Sequence, residues 1–485
     1  MGPVNPYVGT TAEERSVMLE TIGAGSVDEL FLDLPDEHRH PTIDLPPALA
    51  EAEVQRELAA LAARNRPAGD LVSFLGGVAA RHYVPSIVRH ITGRSEFYTA
   101  YTPYQPEIAQ GTLQTAFEFQ SMLCELTGMD VANTGMYDGA SALAEACAMA
   151  CRVTGRDRIA MLQSVEPALV DTVRTYAGAH GVAVDVVSRD APRLDQRHAC
   201  LAIQQPNGFG AFEDGAAARQ LATDAGALLV VSATPLSLGL FAPPSSYGAD
   251  IVVGDGQPLG AGLNFGGPSV GLFACREQFV RQMPGRIVGQ TTDTEGRTGY
   301  VLTLQTREQH IRRERATSNI CTSQQLIALA ATVYLSALGR HGVRHVAELC
   351  YHKAHYAAAR IAALPGYELW PEGTAPSGPS PVFWNEFTVQ CPVAPAQVNA
   401  ALLQRGMLGG ADRSDQVADA MTLCVTELNT RDEIEELVAV LGSVALTPRP
   451  PLPSGRARGS LDQPTTDRTP LARTGGRGGG GEGPS

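Results

Sequence analysis

Short apolar runs alternate with longer stretches of helical period through the middle of the chain. Arg158 to Gln163, Val182 to Val187, His198 to Gln204, Ala227 to Ser232 and Asp250 to Val253 read as strands. Between them, Pro167 to Ala179 and Asp214 to Gly226 carry apolar residues at helical spacing. Strands that are apolar throughout and separated by helices predict a mostly parallel sheet covered on both faces. Such sheets bind ligands outside the carboxyl ends of their strands. Those ends are Gln205-Pro-Asn207, Ala233-Thr-Pro235 and the glycine-rich loop that follows Val253.

The flanking regions have other rhythms. Thr10 or Thr11 before Ala-Glu-Glu, and Ser26 before Val-Asp-Glu29, look like helix starts with acids in the first turn. Ala48 to Arg64 is a further helix after a proline-rich connector from Pro41 to Pro47. Gly111 to Leu126 and Ser141 to Arg152 are helices, the second placed for capping by Asp138. A long apolar helix runs from Gln324, and another from Arg340 to Leu364. Beyond Pro365, strands at Phe387 to Cys391 and Met421 to Val425 accompany helices Pro395 to Arg405 and Arg431 to Leu441. The expected organisation is an α/β chain with a helical arm at 1–70, a large α/β domain at 71–330 and a small α+β domain at 331–446. The proline-, glycine- and arginine-rich stretch 447–485 reads as a disordered tail.

Composition narrows the functional classes. A formal net charge of -14 over 485 residues disfavours a nucleic-acid partner. No run approaches the length of a membrane span, and the amino-terminal residues lack the basic start and apolar core of a signal peptide, so cytoplasmic localisation is expected. Met1-Gly2 is no myristoylation signal, because Pro6 stands where Ser or Thr is needed. Nine scattered cysteines fit buried reduced thiols, with Cys147 and Cys151 packing on one helix.

Lys353 is the only lysine among 37 basic residues. An enzyme that holds its cofactor through a lysine amine therefore has one candidate, and its place in KAHYAAARIAAL reads as a helix-surface lysine. The stretch GADIVVGDGQPLGAGLNFGGPSVGLFACR, Gly248 to Arg276, has seven glycines between Gly254 and Gly271. It fails the dinucleotide fingerprint by one residue and lacks the Gly-Lys-Ser/Thr of a phosphate loop. Gly267-Pro-Ser269-Val-Gly271 matches the serine elbow, but its strand comes after rather than before, so Ser269 is not taken as a nucleophile. The helix with His341, His345, His352 and His355 has no HExxH pattern, and no metal site is expected.

Two further stretches carry chemistry. Tyr98, Tyr101 and Tyr104 crowd a loop with Thr102, Gln105 and Glu107, where Pro103 and Pro106 forbid a regular helix. Such a loop lines a site or interface, or packs between domains. Arg307, Arg312, Arg313 and Arg315 precede Thr317-Ser-Asn319, which suits a phosphate or carboxylate, or else a solvated face paired with Glu308 and Glu314.

The chain closely resembles a known family on Pro6-Tyr-Val-Gly-Thr10, Glu96-Phe-Tyr-Thr-Ala-Tyr-Thr-Pro-Tyr-Gln105, Met129-Asp-Val-Ala-Asn133 and Met136-Tyr-Asp-Gly-Ala140. Further on, Gly256-Gln-Pro-Leu259, Arg281-Gln-Met-Pro-Gly-Arg286, Thr303 through Arg313 and Thr317-Ser-Asn-Ile-Cys-Thr322 continue the match. These are motifs of the glycine cleavage system P-protein, subunit 1 of the split form, and the likeness covers about residues 1–445. The resemblance implies the pyridoxal phosphate enzyme fold of the aspartate aminotransferase group. It also implies glycine decarboxylation, with transfer of the aminomethyl group to the lipoyl arm of H-protein. In the split form, subunit 2 carries the cofactor lysine in a His-Lys pair after the strand corresponding to Asp250 to Val253, and here Gln257-Pro258 stands there. The expectation is a chain that binds no pyridoxal phosphate covalently and completes the site of subunit 2, as a heterotetramer of two copies each. Tyr101, Tyr104 and Glu107 would face the substrate entrance, and Arg312, Thr317, Ser318 and Asn319 the partner's cofactor phosphate. Two rivals remain: a scaffold that stabilises subunit 2 or docks H-protein, and a self-sufficient enzyme using Lys353.

Overall fold

The structure, a computed structural model, describes residues 7, 9–39, 41, 44–77, 79–320, 324–370 and 382–445. The expected disordered tail and the Cys321-Thr322 end of the last motif lie outside these residues. The chain divides into two compact units, Met1–Pro67 and Ala68–Ser485.

In the first unit, helix Ala12–Ile22 opens on a reciprocal capping box. The Thr11 hydroxyl accepts from the Glu14 amide at 3.2 Å and the Glu14 carboxylate accepts from the Thr11 amide at 2.8 Å. The second predicted helix start yields only the single 3-10 turn Asp28–Phe31, and a full helix returns at Glu51–Ala62. None of the described residues of this unit is buried, and Val17, Met18, Ile22, Leu32 and Leu58 are exposed.

The second unit is built on a seven-stranded sheet. Its strands are β1 (Val131–Ala132), β2 (Arg158–Leu162), β3 (Ala183–Val187), β4 (His198–Gln205), β5 (Leu228–Ala233), β6 (Ile251–Asp255) and β7 (Gly271–Cys275). Their order is β1-β7-β6-β5-β4-β2-β3. β3, β2, β4, β5 and β6 run parallel, joined by helices such as Pro167–Gly178 and Gly215–Asp224, as the alternating pattern predicts. β6 turns back through the glycine-rich loop, so β7 pairs with it antiparallel from Asp255 opposite Gly271 onward, and β1 adds antiparallel to β7. Every residue of β7 is buried, which explains why these short strands lack a polar alternation.

Among the described residues, one helix, Gln325–Ala362, is long and apolar enough to cross a membrane by length and composition. Its apolar residues serve the interior instead. Ala328, Ala331 and Tyr334 enter the core around the large sheet, while Ala354, Ala357 and Ile361 enter a second core. Gly339, at φ 60° and ψ -178°, interrupts it, so the two helices read from the sequence meet at a break. The second core lies under a four-stranded antiparallel sheet ordered Glu368–Trp370, Glu386–Gln390, Ala420–Cys424, Ala411–Asp412, against helices Pro395–Gln404 and Arg431–Ala445.

Several elements escaped the sequence reading, among them the short strands Val131–Ala132, Glu368–Trp370 and Ala411–Asp412, the helix Ser86–Thr92 and a hairpin. Ile287–Thr292 and Thr298–Thr303, within what reads as a polar basic stretch, form an antiparallel hairpin. Its turn is organised by Asp293, whose carboxylate accepts from the Glu295 and Arg297 amides.

The break at Gly339 generates a clean stability prediction, because a Cβ there meets nothing within 4 Å and only the backbone resists. Gly339→Ala should cost about 1–3 kcal/mol in urea unfolding, the strain of a glycine-only conformation. An unchanged midpoint would mean that the helix can run straight.

Candidate functional site

The crevice at the carboxyl ends of β4, β5 and β6 holds a cavity of about 40 Å³, lined by Gly77, Gly139, Gln204, Ser232, Asp255 and Pro258 among others. Asp255 ends β6 and organises it. Its Oδ2 accepts from the Gly139 amide at 2.8 Å, and its Oδ1 accepts from the Gln257 amide at 2.8 Å and from the Ser269 hydroxyl. Burial pushes the Asp255 carboxyl up from its ordinary value, against the pull of Ser269 and the two amides. Ser269 thus serves as a donor to Asp255. Gln257 is turned away to accept from the Ala80 amide at 3.2 Å.

The two halves of this unit close on one another beside the crevice. Arg413, next to the small sheet, pairs bidentately with Glu166 after β2, both contacts at 2.8 Å, with the side chains 7% and 14% exposed. The Phe212 amide donates to Val382 and the Thr388 hydroxyl to the Phe209 carbonyl across the same seam. Nearby, Glu386 accepts from the Gly77 amide at 2.7 Å, and burial pushes its carboxyl up to about 7.

The seven residues expected at a partner's site lie elsewhere, in two groups, and none lines the small crevice cavity. Tyr101 is 75% exposed and Glu107 is also exposed. Tyr104 is held: its phenol oxygen accepts from Arg286 at 3.0 Å, while the same guanidinium reaches Thr102 at 3.3 Å and Glu308 at 3.1 Å. Arg286 and Glu308 are both buried, so this ion pair fixes the tyrosine loop. Tyr98, Tyr101 and Thr102 also border a cavity of about 200 Å³ at the start of the long helix. The second group, Thr317, Ser318 and Asn319, lines a cavity of about 590 Å³ with Glu145, Arg152, Tyr176, His180 and Arg313. Ser318 is tied inward, donating to the buried Glu145 carboxylate at 2.7 Å. Burial pushes that carboxyl up. Arg312 is exposed and donates to the Thr306 carbonyl at 3.1 Å.

Lys353 is not the surface lysine that its sequence context suggests. It is half-buried, and its Nζ donates to the Glu427 and Asn429 carbonyls, each at 2.6 Å. The reason is tertiary: the loop 427–429 brings two carbonyls to the helix from more than seventy residues away. The same loop completes the one cluster of potential metal ligands among the described residues, His82, Cys350 and Glu427, which sequence spacing could not reveal. Its groups already satisfy one another. Glu427 accepts from His82 at 2.9 Å, from the Cys350 thiol at 3.2 Å and from the Tyr83 amide at 2.5 Å, with the Lys353 ammonium beside it to oppose a cation. His355 stacks on Phe383 at 3.8 Å, a packing role.

Comparisons with known proteins define the class first. The fold is that of the pyridoxal phosphate enzymes of the aspartate aminotransferase group. Glutamate decarboxylase from Lactobacillus brevis, only 12% identical, superposes with a TM-score of 0.60 over 84% of this chain and 95% of its own. The family follows from closer relatives. The model described as glycine cleavage system P-protein matches residues 5–441. A protein of Thermomicrobium roseum named probable glycine dehydrogenase (decarboxylating) subunit 1 is 49% identical over 447 residues, covering 89% of this chain and 98% of its own length. The crystal structure of glycine decarboxylase (P-protein) of the glycine cleavage system, in inhibitor-bound form, has a TM-score of 0.83 at 42% identity, over 91% of this chain and all of that one. The chain belongs to the glycine cleavage system P-protein family.

The crevice yields a pH test. Because Glu386 has a folded value of about 7, above the ordinary 4.5, the fold favours its protonated form. Its contribution to stability is complete below pH 4.5 and is lost as pH rises through about 7. Glu386→Gln, permanently neutral, should therefore be more stable than the wild type above that range, with the gap closing in acid. Urea midpoints measured across pH check this, and parallel profiles for the two proteins would contradict it.

Proposed function

We propose that this chain is subunit 1 of a split glycine decarboxylase, working with a second subunit that holds pyridoxal phosphate. The pair decarboxylates glycine, releases carbon dioxide and passes the aminomethyl group to the lipoyl group of H-protein, as a heterotetramer of two copies each. Pyridoxal phosphate, when bound, supplies the electron sink that lets glycine lose its carboxylate. This chain's crevice does not fit that cofactor: Pro258 offers no amine, the cavity is about 40 Å³, and the Asp255 carboxylate fills the helix end. That misfit is the observation that carries the reading.

The chain's own contribution lies on its exposed surface. Tyr101, Tyr104, Glu107, Arg312 and Asn319 are exposed and can meet a partner, while Arg286 and Glu145 hold Tyr104 and Ser318 in place. Tyr104 accepts from Arg286 and keeps its own proton to donate. The unburied apolar side chains of the first unit, Val17, Met18 and Ile22 among them, suit cover by the second subunit. A self-sufficient enzyme built on Lys353 is disfavoured, since that amine is committed to two carbonyls.

Activity separates a site contributor from a scaffold. With subunit 2 present, Tyr101→Ala and Asn319→Ala should each lower the kcat of glycine-dependent carbon dioxide exchange by about tenfold or more while the complex elutes at its normal size. Wild-type rates for both variants would leave only the scaffold reading.

A further inference from the structure

A helix amino terminus carries partial positive charge and unpaired amides, which favour anions. Helix Gly139–Thr154 points that end at the crevice beyond β4, β5 and β6. Its first amide, Gly139, is already taken by Asp255 at 2.8 Å, and the Ser141 amide by the capping carboxylate of Asp138, also at 2.8 Å. The approach is close. A Cβ on Gly139 would lie 2.8 Å from the Asp255 Cβ and 2.9 Å from its backbone nitrogen, so helix and strand end are in direct contact. Across the seam, the guanidinium of Arg413 is likewise satisfied from within, by both oxygens of Glu166. The Gly139 and Ser141 amides and the Arg413 guanidinium have thus each been given an anion by the chain itself.

We propose that Asp255 is a resident anion that seals the crevice of this chain, standing at the helix end in place of a phosphate monoester, while Glu166 does the same for Arg413. The seal keeps pyridoxal phosphate out independently of the missing lysine and leaves the cofactor to the partner. It deepens the reading of a cofactor-free subunit but makes a claim of its own: the anion site survives beneath the plug and reopens when the carboxylate is removed.

Inorganic phosphate tests this on the isolated full chain, by calorimetric titration of the wild type, Asp255→Ala and Asp255→Asn. The wild type should bind phosphate at least about tenfold more weakly than either variant, because in the variants a like charge at contact distance is gone. The asparagine form, nearly isosteric, carries the test if the alanine form does not fold. Folded variants that bind phosphate no better than the wild type would overturn the proposal, as would a wild-type chain that binds it equally well. Neither glycine nor subunit 2 enters the experiment, so its failure leaves the catalytic partnership standing, and failure of the partnership leaves the plug standing.

Discussion

The Asp255 carboxylate joins three elements that would otherwise end separately at the sheet: the last parallel strand, the helix beginning at Gly139, and the glycine-rich loop at Ser269. Hydrogen bonds to an ionised acceptor are stronger than neutral ones, and this acceptor is buried among them. Its position decides what the loop can be. The loop is fastened to the sheet at its start by Gln257 and near its end by Ser269, and its glycines allow its backbone to lie that close.

Elsewhere the same physics recurs with arginine. Arg413–Glu166 holds the two halves of the second unit together, and Arg286–Glu308 holds the tyrosine loop against the segment that continues to Thr317. Breaking one partner of such a pair strands a buried charge, so these pairs fix geometry more than they add net stability. The cysteines follow the opposite logic. Burial pushes the thiols of Cys124 to about 11 and of Cys151 and Cys275 to about 12, which leaves them as packing groups rather than nucleophiles. Tyr101, Tyr104, Glu107, Arg312 and Asn319, by contrast, are exposed.

The parallel sheet was legible because its strands are buried on both faces and its connections are helical, both of which leave marks in neighbouring residues. Asp138 as a helix cap was legible for the same local reason. The hairpin from Ile287 to Thr303 was not, because much of its first strand is exposed and polar, although the Asp293-Thr-Glu-Gly296 turn was there to be noticed. Lys353 was misread since its two acceptors arrive from a distant loop, and the Glu427 contacts with His82 and Cys350 span sequence separations of 345 and 77 residues. Of the seven residues expected at a partner's site, Tyr101, Tyr104, Glu107, Arg312 and Asn319 are exposed. The sequence pattern could not tell that Arg286 holds Tyr104 or that Ser318 donates to Glu145, because those partners lie far away along the chain.

The central claim is that this chain lends surface, and not a cofactor amine, to a shared enzyme. The most direct measurement is borohydride reduction of the complex reconstituted with subunit 2 and pyridoxal phosphate, followed by peptide mapping of the phosphopyridoxyl label. The account predicts label confined to a lysine of subunit 2, with Lys353 unmodified. Stoichiometric label on Lys353 would contradict it.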